Sequence, residues 1–236
     1  ITKGRGLGQN RFVDGLEGDT LTVDRPWDVP PGNGAEFVVT TSSIENLILN
    51  NTDRDGDAGM QNWGGCLANV ISGHISDDTE GIILHATDHR KEPGSLARIQ
   101  NFWFNDIRLC RFEKCARVQC RPMRRPAPEL DDAGELVFGN TIRLCQFGDA
   151  PRLPYQNQWY AHWERRHIIE NEDYPSHHCA IRFSAQGGYV GDPEADVWDT
   201  LTPVATCNII ERNYIATGWP VGIFDSRSTR GNIIAD

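Results

Sequence analysis

The chain predicts an all-β fold in which short parallel strands stack into a solenoid, and three observations carry that prediction. A core of the form Asn-x-Ile returns along the sequence: "NLILNN" from Asn46, "NVISGH" from Asn69, "NDIRLC" from Asn105, "NTIRLC" from Asn140, "HIIENE" from His167, "NIIERN" from Asn208 and "NIIAD" from Asn232. A second short apolar segment follows four of these anchors by 11 to 14 residues: "GIIL" at 81–84, "ARVQ" at 116–119, "AIRF" at 180–183 and "GIFD" at 222–225. Helical periodicity is almost absent, while β-branched residues flanked by Gly, Asn and Asp recur throughout.

The elements follow in order. Residues 1–43 read as an N-terminal β segment: "TLTV" at 20–23 alternates as a strand, Gly18-Asp19 makes a turn, and Pro26, Pro30 and Pro31 break what comes next. Residues 44–236 read as one solenoid domain. Its anchors are separated by 23, 36, 35, 27, 41 and 24 residues. The short steps set the unit, and the longer ones place inserts at about 85–100, 121–136 and 184–204, with a fourth loop at 52–66. A unit of two dozen residues cannot bury its apolar face alone, so it must stack on its neighbours at the strand spacing of ~4.8 Å. Ile48, Ile71, Ile107, Ile142 and Ile210 are then expected in one interior file. Five residues after each anchor a second column forms: Asn51, His74, Cys110, Cys145, Glu172 and Asn213. Asn suits such a corner because it tolerates the left-handed conformation and its amide can bond to the next rung. An antiparallel sandwich is the competing fold. It lacks support, since Asn-Gly hairpin turns do not recur at short intervals and a sandwich has no use for a column of like residues.

Composition narrows the function classes. At 236 residues, with 24% charged and 39% hydrophobic, the chain can bury a core and is not a disordered polymer. The net charge of −10 argues against nucleic acid or an anionic membrane as partner, although Arg121, Arg124 and Arg125 form a local basic patch. No apolar run reaches the ~20 residues of a membrane span. The seven cysteines contain no CxxC pair, so buried free thiols are expected. The chain opens at Ile1 and closes inside a predicted strand, and further coils of a longer chain are expected to continue it.

The recurring Asn-x-Ile-x-x-Asn rung and the following Gly-Ile strand resemble the right-handed parallel β-helix superfamily, the pectin-lyase-like proteins, over residues from about 44 onward. The opening "GRGLGQNRFVDGLEGDTLTVDRPWDVPPGNGAEFVV" is similar to a segment of large bacterial members. The resemblance implies a right-handed β-helix of roughly six to seven coils with long inserted loops, placed outside the cell or on its surface. It also implies carbohydrate chemistry, as lyase or glycoside hydrolase, on an outer sheet face walled by loops. A noncatalytic stalk, surface-layer or adhesion module is the alternative that the same fold allows.

Several clusters could carry that chemistry. "SGHISDDTEG" holds the paired carboxylates Asp77 and Asp78 that acid–base hydrolysis of a glycoside needs. "LHATDHRKEP" offers His85, Asp88, His89 and Arg90, a base and a cation for elimination next to a carboxylate. "ERRHIIENEDYPSHHC" brings His167 and Glu172 in place of the anchor and column Asn, with Arg166, His177 and His178 beside them for substrate. Trp63, Trp198 and Trp219 are candidates for exposed rings on which a sugar would stack. "NTDRDGDAG" alternates Asp53, Asp55 and Asp57, whose oxygens could converge on Ca²⁺.

Overall fold

The computed structural model describes residues 1–56, 59–63, 65–88, 99–114, 117–124, 137–148, 179–183, 186–187, 205–216, 219, 221–225 and 229–236. Among them there is no helix, and so none long and apolar enough to cross a membrane. The N-terminal segment contributes the one antiparallel pair of its own, Val13–Glu17 with Thr20–Val23, closed by a left-handed Gly18. The described strands after it stack in parallel, consistent with a parallel β-solenoid, except for Ile99–Gln100, which pairs antiparallel with Gly81–Asp88.

Four parallel sheets run along the stack. The first contains Ser42–Ile44, Gly65–Leu67, Phe102–Trp103, Val137–Phe138, Ala205–Thr206 and Thr229–Arg230. The second contains Leu47–Leu49, Val70–Ser72, Asp106–Arg108, Thr141–Arg143, Ile209–Glu211 and Ile233–Ala235. The third contains Thr52–Arg54, Ile75–Asp77, Arg111–Glu113, Gln146–Phe147 and Tyr214–Ile215. The fourth is built on Met60–Trp63, Gly81–Asp88, Arg117–Arg124, Cys179–Phe183 and Val221–Asp225.

The expected isoleucine file is present. Ile48, Ile71, Ile107, Ile142, Ile210 and Ile234 are consecutive register partners across the second sheet. The segments expected to follow each anchor also fall in register, with Met60, Ile82, Val118, Ile181 and Ile223 side by side in the fourth sheet. Between the sheets, Phe112 and Phe147 stack face to face with centroids 4.8 Å apart.

Corner chemistry explains why Asn recurs, and it corrects part of the sequence reading. The left-handed residue is the one before each anchor: Glu45, Ala68, Phe104, Gly139, Cys207 and Gly231 all have φ between 54° and 65°. A second such series, Asn50, Gly73, Leu109, Leu144 and Arg212, precedes the second column. The anchor Asn supplies hydrogen bonds instead. Asn69 Oδ1 accepts from the backbone N–H and the side-chain amide of Asn46, both at 2.8 Å. The same pair of bonds joins Asn69 to Asn105 at 3.0 Å, Asn105 to Asn140 at 2.9 Å and Asn140 to Asn208 at 3.0 Å. Asn208 donates likewise to Asn232, at 2.8 and 3.0 Å.

The ladder passes from Asn140 directly to Asn208, and Thr141 pairs with Ile209. In the second column Cys145 likewise meets Asn213. The rung expected at His167 and the column place expected at Glu172 lie outside the described residues. Each rung of the ladder accepts two N–H groups on one atom and donates onward from the next, which a carboxamide does in one plane.

The ladder yields a prediction. Asn105→Ala removes the acceptor of two buried Asn69 donors and should cost about 3 kcal/mol or more in urea unfolding. Asn105→Asp keeps an acceptor but turns a carboxylate oxygen toward Asn140 Oδ1, and should be no milder. The corners yield another. Ile107→Ala, in the interior file, should lose roughly 2–5 kcal/mol. Leu109→Gly, at an exposed corner with φ 54°, should stay within about 1 kcal/mol of the parent, because relief of left-handed strain offsets glycine's entropy.

Candidate functional site

The strands of the first three sheets are two or three residues long, whereas Gly81–Asp88 and Arg117–Arg124 in the fourth run for eight. Their first halves are buried by the stack. Ile82, Leu84, Val118 and Cys120 belong to the central core, with 0% exposure. Ile83 and Gln119 alternate with them and are also at 0%, so both faces of this sheet are covered at that level. Burial pushes the Cys120 thiol well above the ordinary range.

The second halves bring several of the candidate residues into register. Register sets Trp63, His85 and Arg121 beside one another on three adjacent strands. Two residues on, Thr87 pairs with Met123, which pairs with Gln186. Asp88 pairs with Arg124, and Arg124 with Gly187. Ile99–Gln100 returns antiparallel along Thr87 and Asp88. Trp63, His85, Asp88, Arg121 and Arg124 therefore fall within a few backbone positions of one another at the C-terminal ends of these strands. Trp63, His85 and Asp88 were legible as candidates from their own neighbourhoods. Arg121 and Arg124 were legible only as a basic patch. What ties them to His85 and Asp88 is the eight-residue alignment of "GIILHATD" with "RVQCRPMR".

The other candidates separate from this group. Asp77 and Asp78 sit at the corner after the third sheet. Lys114 Nζ lies 3.1 Å from Asp77 Oδ1 and 3.6 Å from Asp78 Oδ2. The Lys114 ammonium is held above its usual pKa by its hydrogen bond to Asp77, against a small desolvation, with the charges of Asp77, Asp78 and Asp55 adding to it. This is a solvated ion cluster, and the two carboxylates share one cation. Trp219, expected to be exposed, is instead 7% exposed, and its Nε1 donates to Gly148 O at 3.0 Å. Its ring belongs to the core. Asp57, His89, Arg90, Arg166, His177, His178 and Trp198 lie outside the described residues.

Asp53 is the site residue whose surroundings depart most from expectation. It lies on the interior file of the third sheet, in register with Ser76, and so faces inward. Ser76 Oγ donates to Asp53 Oδ1 at 2.6 Å and Thr79 Oγ1 to Oδ2 at 3.0 Å. His74 Nε2 is 2.9 Å from Asp53 Oδ1 and 3.0 Å from Ser76 Oγ. His74 itself is buried in the second column, and its Nδ1 makes no hydrogen bond among the described residues. With both oxygens of Asp53 committed to protein donors, the calcium reading of Asp53, Asp55 and Asp57 rests on the latter two. Among the described residues no three His, Cys, Asp or Glu side chains gather as metal ligands. Ser76, His74 and Asp53 do not form a nucleophilic triad either, because one imidazole nitrogen serves both partners and Ser76 is wholly buried.

Burial alone would raise the Asp53 carboxyl. The hydrogen bonds from His74, Ser76 and Thr79, with the charge of a protonated His74, outweigh it and hold the group below its usual range. A folded pKa below the unfolded value means that the unfolded chain binds more protons as pH falls, so this contribution is present above about pH 4 and lost in acid. Unfolding free energy measured from pH 6 to pH 2.5 should therefore fall more steeply for the parent than for Asp53→Asn.

No known protein family, curated protein or solved structure matches this chain.

Proposed function

We propose that the protein binds an extended polysaccharide across the C-terminal ends of the fourth sheet and cleaves it by elimination or hydrolysis, on a right-handed, pectin-lyase-like β-helix of roughly six to seven coils. The right-handed sense is that of parallel strands joined by crossovers in one sheet. One observation carries the reading: Trp63, His85 and Arg121 occupy adjacent register positions, with Asp88 and Arg124 three residues further along. An indole offers a sugar ring an apolar face. An imidazole and a carboxylate provide candidates for proton transfer, and guanidiniums provide charge for an anionic sugar or a developing enolate. Long inserts are expected to leave the chain at these same strand ends, where they would wall a groove. His89 and Arg90, directly after the strand, join the group in this reading, as do the His167–His178 segment and Trp198 from longer inserts. The protein is exported or displayed at a cell surface in this reading.

A panel of uronic and neutral polysaccharides, followed by reducing-sugar release and by absorbance at 235 nm, tests the proposal. Cleavage should appear on at least one polymer, and His85→Ala should lower kcat by roughly 10²-fold or more. Trp63→Ala should act mainly through KM. Binding without cleavage across the panel would favour the noncatalytic module, and cleavage unaffected by His85→Ala and Arg121→Ala would place the chemistry elsewhere.

A further inference from the structure

The second column of the solenoid contains two cysteines in succession. Cys110 and Cys145 stand at the same corner of neighbouring rungs, since Arg111 pairs with Gln146 and the Gln146 N–H donates to Cys110 O at 2.9 Å. Each thiol takes the place of an amide in the column. Cys110 Sγ donates to Arg108 O at 3.2 Å, and Cys145 Sγ to Arg143 O at 3.3 Å. Both are 1% exposed. We propose that Cys110 and Cys145 are an oxidisable pair, which a small peroxide converts to a disulfide linking two adjacent rungs.

Geometry is the main support. Register neighbours on parallel strands are ~4.8 Å apart, inside the Cα separations of disulfides, about 4.4–6.8 Å. The neighbouring Cys145 thiol lowers Cys110 against the opposing effect of burial, while Cys110 raises Cys145. The pair then takes Cys110 as its attacking sulfur and Cys145 as its partner. No other two cysteines among the described residues share a register position. Cys66 faces Ser43 and Phe102, Cys120 faces Leu84 and Phe183, and Cys179 faces Val221.

The chemistry balances in two steps. The Cys110 thiolate attacks the O–O bond of peroxide, forming a sulfenic acid and releasing hydroxide. Cys145 sulfur then displaces the sulfenic hydroxyl, so the S–S bond forms as the S–O bond breaks. The two thiol protons leave with the two peroxide oxygens as two waters. Peroxide is reduced, and the cysteine pair loses two electrons. The link closes a loop from 110 to 145 and ties the corner of one rung to the next.

The test uses the full chain with hydrogen peroxide as the probe. After oxidation, alkylation under denaturing conditions and tryptic digestion without reductant, the peptide "LCR" at 109–111 should be found joined to "LCQFGDAPR" at 144–152. The oxidised protein should melt several degrees higher and return to its starting value with dithiothreitol. Cys145→Ala, judged by the peptide map, should leave Cys110 as a sulfenic or higher acid with no link. Recovery of both parent cysteines separately alkylated, as sulfinic acids, or joined to other cysteines would overturn the proposal.

Discussion

Everything in this molecule hangs on a single file of carboxamides. From Asn69 to Asn232 each side-chain carbonyl collects two N–H groups from the rung before it. These groups are buried along most of the file, where an unmet donor is expensive and a met one is strengthened by its neighbours. Because all the bonds point the same way, each rung polarises the next. The left-handed residue just before each Asn turns the chain so that the amide can reach, and the hydrogen-bond gain offsets the strain that Glu45, Phe104 and Cys207 carry there. The isoleucine file, the aromatic stack and the four sheets follow from corners held at one spacing.

The interior is not uniformly apolar, and its composition changes along the axis. The third-sheet file reads Asp53, Ser76, Phe112, Phe147, Ile215 from one end to the other. Its polar end is satisfied internally by His74 and Thr79, and Trp219 belongs to the same core as its apolar members. The fourth sheet differs again, because Ile83 and Gln119 are buried on the face away from the core. Reactive groups on that sheet are thereby confined to the far ends of its two long strands. A groove there would lie beside the stack and not over its middle.

Much of the fold could be read in advance from the spacing of Asn and Ile. Period and residue type specify both the corner and the inward face, and the interior isoleucines stand where the repeat put them. "HIIENE" keeps the apolar pattern of a rung while lacking the carboxamide, and the ladder among the described residues is built of amides. Asp53 reads locally as one of three alternating acids in a cation loop, and only register shows that it points inward. Trp219 was misread because a ring near a loop can cover the core as easily as leave it. The grouping of His85 with Arg121 depends on strand register between segments 36 residues apart, which no local pattern encodes.

Asn140 and Asn208 stand at neighbouring rungs although 68 positions separate them, and their bonds of 3.0 Å are close to the 2.8 Å between Asn46 and Asn69, only 23 apart. For a flexible excursion, tripling the length adds only about 1 kcal/mol of closure entropy. The spiral is thus nearly indifferent to how much sequence is spliced between its corners. Such an architecture lets the lengths between corners change while the spine that joins them stays the same.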